Sequence, residues 1–97
     1  MLEVDVENQL ILSAAAAGGE AYKFTVPGRR GAPDRLVLLP VPPEHRAIVA
    51  KYVRFYELKR PRGPIRVLQE RWLKRLRDLG YRAEVLASKV AVNREEF

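Results

Sequence analysis

Apolar and polar positions along this chain switch several times between a helical and a strand period. Over 3–17, Val4, Leu10 and Ile11 form part of an apolar stripe, Ala14 to Ala17 favour a helix, and Gly18-Gly19 supplies its stop. "AYKFTV" (21–26) alternates Tyr22/Phe24/Val26 with Lys23/Thr25 and predicts a first strand. "PGRRGAP" (27–33) is turn chemistry, and "DRLVLLP" (34–40) predicts a second strand, apolar enough to be central. The Pro-Pro start of 41–51 and its Ile48/Val49 pair predict one short helix, followed by an aromatic, β-branched third strand at 52–59. After the "RPRGP" turn (60–64), Ile65, Leu68, Trp72, Leu73, Leu76 and Leu79 make one stripe of a helix over 65–79, ended by Gly80. That periodicity places Trp72 in the core. "YRAEVLA" (81–87) is the fourth strand, and the tail from Val90 is short and polar towards its end. The order α-β-β-(α)-β-α-β predicts an α/β fold, a mixed sheet of about four strands flanked by helices.

A chain of 97 residues has room for one core, so residues 1–97 are expected to form a single domain, with a homodimer as a plausible supplement to its stability. The absence of cysteine excludes disulfides and thiolate metal sites, and the single histidine, His45, cannot make a zinc site alone. The first residues are acidic where a signal peptide is basic, and no apolar run has membrane-spanning length. The expectation is an intracellular soluble protein with no membrane partner. Charge changes the picture more. Residues 29–82 hold 15 Lys/Arg against 5 Asp/Glu, whereas the rest of the chain holds 3 against 7. A basic centre of this kind points to a polyanionic partner.

Strand alternation puts Val53, Phe55, Glu57 and Lys59 on one face of the third strand, with Tyr52, Arg54, Tyr56 and Leu58 on the other. A carboxylate and an ammonium thus follow two core residues on the same side. Asp34 begins the preceding strand, and pairing of the two strands would bring it to Glu57 and Lys59. Two carboxylates meeting there suit a hard divalent cation, and a neighbouring lysine suits work on water or phosphate. Spacing alone equally describes a surface ion pair for Glu57 and Lys59, and a turn cap for Asp34. Gln69 sits against the apolar stripe of its helix, where an amide needs partners, either a strand backbone or the Glu57 edge. Glu7, beside Val4, Leu10 and Ile11 on the first helix, reads as a solvated carboxylate by periodicity. Arg29, Arg30, Arg60 and Arg62 lie in the turns flanking the proposed edge, and Arg66 opens the basic outer side of the helix.

Taken together, "RRGAPDRLVLLP" and "RFYELKRPRGPIRVLQERWLKRLRDLGYRAEVL" resemble the virus-type replication-repair nuclease (VRR-Nuc) domain, a branch of the PD-(D/E)xK nuclease superfamily. The resemblance runs from about Glu7 to Ser88, and the length suits the small stand-alone versions of phages and bacteria. It implies a restriction-endonuclease-like fold in which Asp34 and Glu57 match the metal-binding carboxylates, with the Leu58 backbone carbonyl as a further ligand. It matches Lys59 to the catalytic lysine, Gln69 to the glutamine after the motif, and Glu7, chosen among Glu3, Asp5 and Glu7, to the acidic residue of the first helix. Segment 41–51 is longer than the tight hairpin of the family's shortest members. The expected activity is Mg²⁺- or Mn²⁺-dependent hydrolysis of DNA phosphodiesters. Arg29, Arg30, Arg35, Arg60, Arg62 and Arg66 are the expected backbone contacts. Stand-alone relatives resemble Holliday-junction resolvases, which implies branched DNA, a homodimer and a role in DNA repair within the cytoplasm of a bacterial or phage-infected cell. The competing readings are a non-catalytic DNA-binding module or inactive relative, and a protein-interaction domain with an incidental basic face.

Overall fold

The computed structural model describes residues 2–60 and 65–97. Its elements run α1 (Glu3–Ala16), β1 (Glu20–Lys23), β2 (Arg35–Leu38), α2 (Pro43–Tyr52), β3 (Arg54–Leu58), α3 (Val67–Asp78), β4 (Arg82–Leu86) and α4 (Lys89–Asn93). This is the expected α/β order with one helix added, a mixed arrangement of the restriction-endonuclease-like kind. The strands form two ladders of two strands each, β1-β2 and β3-β4, in place of the one sheet that periodicity suggests. The chain divides into two compact units, Met1–Pro40 and Val41–Phe97.

In the first unit β1 and β2 are antiparallel, from Glu20 opposite Leu38 to Lys23 opposite Arg35. The turn from α1 into β1 is tight because Gly19 has no Cβ; one added there would stand 2.1 Å from the Leu38 carbonyl oxygen. Ala14 and Ala21 are buried with Leu38, and these small side chains let the last turns of α1 lie close to β1. The first turns do not share that approach. Val4, Val6, Leu10 and Leu12 are exposed, so the stripe read at Val4, Leu10 and Ile11 is not a core face. Nor is β2 a fully buried central strand, since only Leu38 in it is buried.

The second unit is built on a βαβ turn of chain. Strands β3 and β4 pair in parallel from Arg54 opposite Arg82 to Leu58 opposite Leu86, with α3 as the crossover. Lys59 N–H extends the ladder by donating to the Leu86 carbonyl at 2.9 Å. The core holds Val41, Leu73, Leu76, Leu79, Ala83 and Leu86. A two-stranded pair is narrow, so it covers one edge of the α3 stripe and leaves Leu68 and Trp72 exposed. Trp72 is 54% exposed, which corrects its assignment to the core. The third strand starts two residues late because α2 runs through Tyr52, with Val53 N–H still donating to the Val49 carbonyl. Gly80, at φ +100°, ends α3 where a Cβ would stand 2.8 Å from the Val41 carbonyl oxygen. Helix α4 is signalled only by Ser88, whose Oγ accepts from Ala91 N–H at 3.1 Å. No described helix is long and apolar enough to cross a membrane.

Candidate active site

The sequence places a carboxylate and a lysine on one face of β3, and the second unit builds around them. Glu57 Oε1 accepts from Gln69 Nε2 at 2.8 Å and lies 3.3 Å from Lys59 Nζ. The Lys59 side chain is 16% exposed and that of Glu57 32%, so the ammonium is the more sheltered partner. Both contacts fall on Oε1, and among the described residues Glu57 Oε2 takes no hydrogen bond. One oxygen is thereby fixed in direction while the other stays available to a cation.

Gln69 owes its orientation to its place as the third residue of α3. Its amide oxygen accepts from the Arg66 backbone N–H at 3.1 Å, reaching back to one of the donors that a helix start leaves unpaired. With the oxygen committed there, the amide nitrogen faces Glu57. The spacing of the sequence put Gln69 near the stripe, and the helix start turned it toward the carboxylate. Trp72 is a neighbour that the sequence reading missed. With Phe55, Tyr56, Glu57, Gln69, Leu73 and Leu76 it lines a cavity of about 290 Å³. Its position three residues after Gln69 was a usable signal, since i and i+3 share a helix face.

Leu58 closes β3 with its side chain exposed. Arg60 and Arg66 are exposed, and Arg62 lies outside the described residues.

In the first unit, Asp34 is exposed at the start of β2, and its backbone carbonyl accepts from Phe24 N–H at 2.9 Å. Asp34, Glu3 and Glu7 line one cavity of about 280 Å³ with Val6, Leu10, Pro33 and Arg35. Asp5 is elsewhere engaged, accepting from the Leu2 backbone N–H at 3.2 Å. Glu7 is held by Arg35, with Oε1 3.2 Å from Nη2, and Arg35 Nη1 donates to the Ala21 carbonyl at 3.2 Å. Arg35, expected on the DNA backbone, therefore spends its guanidinium inside the unit and orients Glu7 beside Asp34. Arg29 and Arg30 stand exposed between Gly28 and Gly31, both near φ +77°. Among the described residues no three His, Asp or Glu side chains gather closely enough to hold a metal ion.

The profile of the VRR-NUC domain matches residues 21–90. This chain belongs to the VRR-NUC domain family. The match encloses Asp34, Glu57, Lys59 and Gln69 and leaves Glu7 outside. Over 38 residues the chain is also 55% identical to "Putative nuclease p44" of Acyrthosiphon pisum secondary endosymbiont phage 1. That stretch is 39% of this chain and 41% of the phage protein, so the similarity spans less than half of the relative's length. No solved structure matches the chain significantly. VRR-NUC membership agrees with the family resemblance carried by the Arg-Gly-Ala-Pro-Asp and Glu-Leu-Lys runs.

Proposed function

We propose that this VRR-NUC protein is a DNA nuclease that hydrolyses phosphodiester bonds with the help of Mg²⁺ or Mn²⁺. The observation that carries this reading is Glu57 held between Gln69 and Lys59, at 2.8 Å and 3.3 Å, at the end of β3. A purely structural ion pair does not call for an amide locked onto the same oxygen. The donor set fits a hard cation: Asp34 and Glu57, with the Leu58 carbonyl, are the proposed ligands, all oxygen. When bound, the cation supplies Lewis acidity to the phosphodiester and acidity to a water.

The side chains do the rest. Gln69 holds the Glu57 carboxylate in one orientation. Lys59, its ammonium sheltered beside Glu57, positions the attacking water and stabilises the negative charge that grows on the phosphate oxygens. Glu7, directed by Arg35, is the further acidic residue beside Asp34. The exposed Arg29, Arg30, Arg60 and Arg66, with Arg62, contact the DNA backbone. The two units work as one domain in this reading.

The preferred substrate in this proposal is branched DNA such as a four-way junction, cut by a homodimer with one site per strand during DNA repair in the cytoplasm. The exposed Val4, Val6, Leu10 and Leu12 of α1 support a pairing surface between copies. The test is to incubate the protein with linear, flap and four-way-junction DNA in Mg²⁺, Mn²⁺ or EDTA. Metal-dependent cleavage, strongest on the junction and lost in Glu57→Ala and Lys59→Ala, is the expected result. Binding that survives without any cleavage points to a non-catalytic module.

A further inference from the structure

Strand alternation that sends Glu57 to one face of β3 sends Arg54 and Tyr56 to the other, where the register sets Arg82 opposite Arg54 and Glu84 opposite Tyr56. This second face is cationic. The Arg54 guanidinium is clamped by two carbonyls at the end of α2, with Nε donating to Ala50 at 3.0 Å and Nη2 to Lys51 at 3.3 Å. Its third nitrogen, Nη1, is buried with no partner, and so is the Tyr56 hydroxyl. Both residues line one cavity of about 290 Å³ with Lys51, Tyr52 and Phe97. Lys51 and Arg54 also line the adjoining cleft, together with Arg82, Arg94, Glu95 and Glu96.

The chain itself shows what kind of group this cleft takes. Glu95 places a carboxylate on Arg82, which Glu84 also contacts at 3.2 Å. The hydrogen bond that Arg82 donates to Glu84, and the charge of Glu95 beside it, hold the Arg82 pKa above its ordinary value. The Phe97 ring lies 5.1 Å from the Arg54 guanidinium carbon. An acid in the cleft and an aromatic ring in the adjoining cavity thus meet this cationic face from within the chain. Two buried donors remain unmet there, because Glu95 pairs with Arg82 and leaves Arg54 Nη1 and Tyr56 Oη to themselves. An anion with more oxygens than a carboxylate would meet more of these donors. Lys51 and Arg94 add charge with no ion-pair partner among the described residues. Tyr52 is 81% exposed and Phe97 89%, offering flat rings at the rim. Aromatic faces beside cations are the usual setting for a nucleobase. The cavity is just under the size of ligand sites, which run from about 300 to 1,000 Å³.

We propose that this cleft is a second, non-catalytic nucleotide site, in which a phosphate displaces Glu95 and is held by Lys51, Arg54, Tyr56 and Arg82, with the base stacked on Tyr52. The nucleotide is free or part of a strand; the chemistry is shared. The site uses neither Glu57 nor Lys59, so it stands whether or not the proposed cleavage does.

The test is calorimetric titration of the full chain in EDTA with deoxythymidine 5′-monophosphate, a short oligothymidylate or inorganic phosphate. The monophosphate should bind. Glu95→Gln should tighten it several-fold by releasing Arg82, while Tyr56→Phe and Lys51→Ala should weaken it several-fold. Tyr52→Ala, at an exposed position that leaves the fold alone, should weaken the nucleotide and leave phosphate unchanged. Tighter binding of the oligonucleotide than of the monophosphate identifies the ligand as a strand, and equal binding as a free nucleotide. The proposal is overturned if the monophosphate does not bind, or if phosphate binds as tightly. It is equally overturned if binding is lost in Lys59→Ala and kept in Tyr56→Phe.

Discussion

Gln69 and Glu57 are joined by a single 2.8 Å hydrogen bond whose donor is fixed from behind, because the other end of the Gln69 amide accepts from the start of its own helix. In the proposed nuclease, the glutamine is a positioning residue for the carboxylate. Gln69→Glu reverses the interaction by placing a second carboxylate against Glu57. Cleavage should fall at least tenfold, and Gln69→Ala should fall less than Gln69→Glu. Rates on a junction substrate, measured with far-UV circular dichroism as a folding control, check the order.

In the proposed nuclease, Glu57 and Lys59 separate binding from chemistry. Glu57→Gln keeps the shape of the side chain and Lys59→Met keeps its length, while each removes a charge. Both should abolish cleavage and leave DNA affinity within a few-fold of the wild type. Gel-shift titration in EDTA beside cleavage in Mg²⁺ distinguishes the two effects.

The arginines between Gly28 and Gly31 are exposed and carry no described ion pair. Each phosphate contact contributes about 0.9 to the slope of log affinity against log salt on duplex DNA. Arg29→Ala and Arg30→Ala should each lower the slope by about 1 or less, with little effect on stability. Fluorescence anisotropy over a salt series measures it.

Trp72 is the chain's one tryptophan and shares a cavity wall with Glu57 and Gln69. A divalent cation drawn to Glu57 should change its emission, and EDTA should reverse the change. The response should disappear in Glu57→Gln. Titration with Mn²⁺ or Mg²⁺ at fixed ionic strength is the measurement.

Gly80 has a left-handed backbone, and a Cβ added there would stand 2.8 Å from the Val41 carbonyl oxygen. Gly80→Ala should destabilise the protein by about 1–3 kcal/mol, the scale of one strained backbone position. Urea unfolding followed by Trp72 fluorescence should show the midpoint fall.

Element order and the shared face of Glu57 and Lys59 were legible in the sequence because they rest on short-range regularities. A period of two puts Glu57 and Lys59 on one face, and Gly80 marks the end of α3. That Asp34, Glu57, Lys59 and Gln69 act as one set is what the family pattern implies, since spacing alone leaves each with an ordinary structural role. What escaped depends on distant partners. Periodicity counted Trp72 as core because it cannot see that a two-stranded ladder covers only the Leu73 and Leu76 edge. Nor does anything local announce that Glu7, 28 positions earlier in the numbering, pairs with the Arg35 guanidinium. Likewise the Arg66 N–H that steers Gln69 belongs to a helix start, which shifted by two residues from the predicted one.

The β3-α3-β4 turn of chain carries a consequence for how this protein assembles. Glu57 and Gln69 are only 12 residues apart, and Lys59 lies between them. Closing so short a loop costs little entropy, and contacts of this range form early when a chain folds. The carboxylate, ammonium and amide can therefore reach their arrangement in one local event. Insertions in the 24–34 loop would lengthen the chain without loosening that trio, which makes the loop the natural place for variation in what the protein grips.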